Sequence, residues 1–191
     1  MLKRFAYVAL TCLFLTSATA PSSAQQQQQS QVAPTNTAPV AATFNLRGID
    51  GKVYDLSRMR GEIVLVSFGA TWCAPCAEEL AALEELKLEY AHRPIRFLWV
   101  SIETEDEASN SRLRSYAKAK KLTLPVLRDI NRTVYGQFSE RVRLPLVVIF
   151  DGEGKLSDSP LVGMTASPEL YKDRVRSKLN ELIAIQNVSA K

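Results

Sequence analysis

Histidine, methionine and cysteine are scarce in this 191-residue chain, which has one His, three Met and three Cys. A closed zinc site usually takes four Cys or His ligands. With Cys12 set aside in an apolar leader, only Cys73, Cys76 and the distant His92 remain, so half of a zinc site is not the reading of that pair. Long apolar runs are lacking as well: the N-terminal run Phe5 to Leu15 falls short of the about 20 residues that span a bilayer. Charge of one sign is lacking too. The formal charge is +4, but Lys3 and Arg4 belong to the leader, and the remainder carries 22 basic against 20 acidic residues. Between Glu78 and Lys121 the Lys and Arg residues are interleaved with Glu and Asp, with no basic run bearing aromatics. Nucleic acid is therefore excluded as a partner.

The chain does have an N-terminal pattern of export. Met1-Leu2-Lys3-Arg4, the apolar run to Leu15 and the small residues Ser17 to Ala24 read as a secretory signal peptide over 1–24. Ser22-Ser23-Ala24 offers cleavage before Gln25, and an uncleaved leader serving as a membrane tether is the alternative. Residues 25–41 hold five consecutive glutamines, then Ser, Pro, Thr, Asn and Ala. They contain too little apolar surface to offset the entropy of ordering and read as a disordered linker. A folded domain is expected over 42–187, with 188–191 as a tail.

Within that domain Thr43 to Arg47 and Lys52 to Asp55 flank Gly48-Ile49-Asp50-Gly51, a hairpin signal. Ile63 to Phe68 is apolar almost throughout, as in a strand covered on both faces. Ala74 to Tyr90 predicts a helix, Ile95 to Ile102 a strand, Ala108 to Lys120 a polar helix and Leu124 to Leu127 a short extended piece. Asn131 to Phe138 reads as a helical turn or two, Leu146 to Phe150 as a strand and Lys155 to Gly163 as its return strand after a turn at Asp151-Gly152-Glu153-Gly154. Pro168 to Gln186 closes the chain as an amphipathic helix capped by Ser167. The order β-α-β-α-β-β-α predicts an α/β fold: a central mixed sheet with helices on both sides and an N-terminal β-hairpin extension.

Thr71-Trp72-Cys73-Ala74-Pro75-Cys76 stands where the buried strand turns into a helix. A bridge between Cys73 and Cys76 closes so short a loop that it restrains the unfolded chain little, so the pair is chemical, not structural. At a helix start, free N–H groups and the dipole stabilise a thiolate, the nucleophile of disulfide exchange. Cys73 is therefore read as the attacking sulfur, and Cys76, one turn inside, as the one that attacks the mixed disulfide and releases the partner. Pro75 fits a first helical turn, where its missing N–H costs nothing.

Helical spacing puts Cys76, Leu80, Leu83, Leu86 and Tyr90 on one face, with Glu79 in the same arc and Glu78, Glu84, Glu85 and Glu89 outside it. A carboxylate in that stripe is expected to be desolvated, with a raised pKa, and to pass a proton to and from Cys76. The competing reading is that Glu79 reaches solvent at the edge of the stripe.

The run from Phe44 to Glu79, with Gly51, Gly61, Val64 to Phe68 and Trp72-Cys73-Ala74-Pro75-Cys76, resembles the TlpA/ResA/CcmG branch of the thioredoxin superfamily. Pro125 to Asp129 and Leu144 to Gly152 follow in the family's order. The resemblance implies a thioredoxin fold and an extracytoplasmic thiol:disulfide oxidoreductase needing no cofactor. It implies reduction of client proteins such as apocytochrome c or copper-centre assembly factors, with a membrane thiol carrier as electron donor. It also implies that Pro145 is a cis-proline facing the cysteines, with Leu144, Trp72 and Pro75 in the docking surface. Three positions depart from the pattern. Ser67 stands where cytoplasmic thioredoxins have a buried Asp, a role Glu79 is expected to fill. Gly69 stands where the family has Trp, and Leu146 where it has Thr. The rival readings are a copper chaperone with Cys73 and Cys76 as soft Cu(I) ligands, and a disulfide-forming oxidase.

Overall fold

The computed structural model describes residues 42–165 and 167–189, so the expected signal peptide (1–24) and linker (25–41) lie outside the described residues. Strand β1 (Asn45–Gly48) and strand β2 (Val53–Asp55) form the expected hairpin. Its turn closes through Gly48 N to Lys52 O at 2.8 Å and Gly51 N to Gly48 O at 3.0 Å. Gly51 has φ +84°, which a side chain would oppose.

Strand β3 (Ile63–Gly69) leads into helix α1 (Ala74–Glu89), followed by strand β4 (Ile95–Ser101), helix α2 (Asn110–Ala119) and strand β5 (Val126–Arg128). Strand β6 (Leu146–Phe150), strand β7 (Leu161–Val162) and helix α3 (Pro168–Ser189) complete the order. The seven strands lie in the order β2-β1-β5-β4-β3-β6-β7, with β3, β4 and β5 mutually parallel and the remaining pairs antiparallel. The short piece expected near Leu124 is thus an interior strand, bonded to β4 on one side and β1 on the other.

Strand alternation splits the core in two. Ile63, Leu65, Phe97, Trp99, Val147 and Ile149 face the helices, joined by Leu83 and Leu86 of α1, Leu113 of α2 and Val175 and Leu179 of α3. Val64, Val66, Phe68, Leu98, Val100, Leu146, Val148 and Phe150 face the other way. The sequence pattern places helices on both sides, but all three α-helices pack on one face. The second face is covered by the hairpin and by two 3₁₀ turns, Leu56–Arg58 and Tyr135–Gln137. For α1 and α2 the reason is topological: β3 to β4 and β4 to β5 step the same way across the sheet, and right-handed crossovers then put these two helices on one side, where α3 packs beside them.

Two other boundaries differ from expectation. The return strand predicted over Lys155–Gly163 pairs only as a bridge of Leu156 to Phe150 and as β7. Between them Asp158 accepts a bond from Ser159 N at 2.7 Å, and Pro160 has no N–H to give, so the ladder is interrupted. At the C-terminus, α3 continues past Gln186 and takes in Val188 and Ser189. Among the described residues no helix is long and apolar enough to cross a membrane.

Candidate active site

Strand β3 ends beneath the start of α1, and a tight turn joins them: Cys73 N donates to Ala70 O at 3.1 Å. Cys73 is the N-cap of α1, with its sulfur accepting from Cys76 N at 3.3 Å, and Pro75 falls in the first helical turn. The two sulfurs form a disulfide. Cys73 is 6% exposed and Cys76 fully buried, so the N-terminal sulfur is the one nearer the surface, while Trp72 beside it is 58% exposed. Ala74 and Pro75 are also exposed.

The Leu144–Pro145 peptide is cis. Leu144 is half-buried and packs with Ala70, Cys73 and Cys76, so the structure brings the segment ahead of β6 against the cysteines. Pro145 is buried and its carbonyl accepts from Gly163 N at 2.8 Å. The hydroxyl of Tyr135 holds the preceding loop, donating to Arg141 O at 2.9 Å and Arg143 O at 3.2 Å and accepting from Arg143 N at 2.8 Å.

Glu79 is 1% exposed, which decides against its reaching solvent at the stripe's edge. Its Oε2 accepts from Ser67 Oγ at 2.6 Å and its Oε1 from Tyr171 Oη at 2.8 Å. Burial pushes its pKa up to about 7, against the opposing pull of the two hydroxyl donors, which favour the charged form. Tyr171 in turn is pushed well above the usual tyrosine range, first by burial and then by the Glu79 charge. Ser67, read as the site of a missing acid, is therefore a partner of the acid supplied from α1. Tyr171 was not legible as a site residue, since nothing local in α3 marks it.

The other two departures also have structural accounts. A Cβ at Gly69 would lie 2.6 Å from Trp99 Nε1 and 3.4 Å from both Cys76 Cβ and Cys76 Sγ. The indole of Trp99, fully buried and stacked on Tyr116 with ring centroids 5.4 Å apart, thus fills from β4 the space that a larger residue at 69 would need. Leu146 belongs to the core on the opposite sheet face, turned away from the helix side. Among the described residues, no group of three or more His, Cys, Asp or Glu side chains is arranged to hold a metal ion.

A redox-ready cysteine pair at a helix start, with a cis-proline segment packed against it on a mixed sheet, defines a thioredoxin-fold protein of the thiol:disulfide oxidoreductase class. The chain belongs to the AhpC/TSA family, which it matches over residues 36–159. It is 32% identical over 125 residues to the thioredoxin-like protein YneN of Bacillus subtilis (strain 168), covering 65% of this chain and 71% of that one. It is 25% identical over 130 residues to the thiol-disulfide oxidoreductase ResA of Bacillus cereus, covering 68% and 72%. Among solved structures it is similar to the exposed lipoprotein thioredoxin Etrx1 of Streptococcus pneumoniae strain TIGR4. That match has a TM-score of 0.60 and 30% identity, over 74% of this chain and 100% of the other.

Proposed function

We propose that the protein is an exported reductant of disulfides in client proteins, with a signal peptide over 1–24 and a linker over 25–41 ahead of the domain. Cys73 attacks one sulfur of the client disulfide as a thiolate, forming a mixed disulfide and releasing one client thiolate. Glu79, ionised, takes the proton from Cys76. The Cys76 thiolate attacks Cys73 Sγ, closes the protein disulfide and expels the second client sulfur as a thiolate. The client gains two electrons and the protein loses two, to be restored by a dithiol donor, which we assign to a membrane thiol carrier.

The observation that carries this reading is the buried Glu79, one helical turn behind Cys76 and held by Ser67 and Tyr171, with its pKa near neutrality. A general base works best when its pKa lies near the working pH. Leu144 offers an extended client segment its backbone N–H and C=O, which take no partner among the described residues, and Trp72 and Pro75 flank that edge. The likeness to ResA and to an exposed lipoprotein thioredoxin supports an extracytoplasmic role. The client class we assign is apocytochrome c or copper-centre assembly proteins.

The test is expression of Cys76→Ser with its own N-terminal segment in the native host, followed by identification of the proteins disulfide-linked to Cys73. Apocytochrome c or a copper-centre protein on Cys73 supports the assignment. Trapping by Cys73→Ser through Cys76 at equal yield would reverse the two roles. Tight stoichiometric Cu(I) binding without reductase activity would move the function to copper delivery.

A further inference from the structure

A second buried carboxylate lies at the same end of the sheet, and the thiol chemistry above leaves it unused. Glu103, two residues beyond β4, is fully buried. Its Oε2 accepts from Thr71 N at 2.9 Å and Ser101 Oγ at 2.9 Å, and its Oε1 accepts from Thr71 Oγ1 at 2.6 Å. Sheet register explains the meeting. Gly69 of β3 pairs with Ser101 of β4, so the two strands end level and the residues two positions further on, Thr71 and Glu103, emerge side by side.

Burying a carboxylate is costly unless charge and hydrogen bonds compensate. Glu103 has no ion pair on its carboxylate among the described residues. The nearby guanidinium of Arg128 donates to the Glu103 backbone carbonyl at 3.3 Å, and its ion-pair partner is Glu105. The phenol of Tyr116, packed on the same side, feels the Glu103 charge, which adds to burial in raising its pKa. Glu79 is bonded elsewhere, to Ser67 and Tyr171. The donors that satisfy Glu103 therefore come from Ser101 beneath it and from Thr71, and Thr71 lies two residues before Cys73 in the turn closed by Cys73 N to Ala70 O. Holding Thr71 by both its N–H and its hydroxyl fixes the backbone and the rotamer of the residue that carries the chain into the nucleophile.

We propose that Glu103 is the positioning residue of the nucleophile loop: it clamps Thr71 so that Cys73 sits at the start of α1, and its negative charge behind the loop opposes the Cys73 thiolate. This rests on the assignment of Cys73 as the attacking sulfur. Glu103 thereby biases the pair away from an over-stabilised thiolate, the condition that makes a dithiol strongly oxidising.

The experiment uses the chain carrying Cys76→Ser, with iodoacetamide alkylation followed as a function of pH on the Cys73 peptide by mass spectrometry. Glu103→Gln keeps the shape and an amide oxygen for Thr71 N while removing the charge. Alkylation at pH 7 should rise about threefold, equivalent to half a unit in thiol ionisation, and converge with the parent at high pH. Thr71→Val, made in the wild-type dithiol, keeps the charge and loses the hydroxyl donor, so reductase kcat/KM should fall about tenfold through misplacement of Cys73. In the Cys76→Ser background the same substitution should leave the midpoint of the alkylation profile in place. A Glu103→Gln profile superimposable on the parent's overturns the proposal, and so does Thr71→Val at the parental kcat/KM. If Cys73 of the Cys76→Ser parent is neither alkylated nor trapped by client disulfides, it is the assignment of the nucleophile that fails.

Discussion

Replacing Glu79 by Gln keeps the side chain's length and one acceptor oxygen for Ser67 or Tyr171, and removes the only carboxylate that α1 buries. In the folded protein the Glu79 carboxyl titrates near 7 against an ordinary value of 4.5, chiefly because burial penalises its charged form. Between those two pH values the folded state holds a proton that the unfolded state has released. Stability is therefore greatest below the ordinary value and is lost as pH rises through 7. A displacement of that size corresponds to about 3 kcal/mol, at 1.36 kcal/mol per pKa unit. Urea unfolding of the oxidised wild type and Glu79→Gln at pH 4.5, 6, 7 and 8 isolates the effect, because every other titrating group is common to both. The difference in unfolding free energy should move by about 3 kcal/mol in favour of the Gln variant between the two extremes. In the proposed mechanism the same titration sets the rate of the resolving step. Resolution of a mixed disulfide on Cys73 should be slow below pH 7, where Glu79 is protonated, and Glu79→Gln should be slower by about 10²-fold with that inflection gone. Parallel stability curves for the two proteins, or an unchanged inflection in the variant, would refute the reasoning.

Tyr171→Phe removes one of the two donors that favour the charged carboxylate, so the inflection in the resolution rate should move to higher pH; an unmoved profile would leave Ser67 as the only effective partner. Gly69→Ala places a methyl 2.6 Å from Trp99 Nε1 and should cost about 1–3 kcal/mol in urea unfolding. Trp99→Phe in the same chain should return part of that loss, a non-additivity expected of touching residues. Tyr135→Phe strips the bonds to Arg141 and Arg143 that hold the loop before Leu144. It should cost about 1–3 kcal/mol and raise KM for a protein client more than it lowers kcat, as steady-state insulin reduction will show.

What this sequence determined by itself is local. The Asp50-Gly51 turn between two extended runs, the apolar run of β3 and the Cys73-Ala74-Pro75-Cys76 helix start each depend on neighbours a few residues away, and each formed as the pattern indicated. Helical periodicity placed Glu79 on the buried arc of α1, yet the arc alone did not choose between burial and an escape to solvent. Tertiary structure made that choice by delivering Tyr171, 92 positions away, and Ser67 from the strand beneath. The same holds for Thr71 and Glu103, 32 positions apart, and for Gly69, whose small size makes sense only once Trp99 crosses from the next strand. The placing of α1 and α2 on one side followed from the spatial order of β3, β4 and β5, which no stretch of sequence displays. The physical division is one of range: turn chemistry, capping and periodicity act within a few residues. The partner of a buried polar group is fixed by strand register and helix packing, which exist only after distant segments have met.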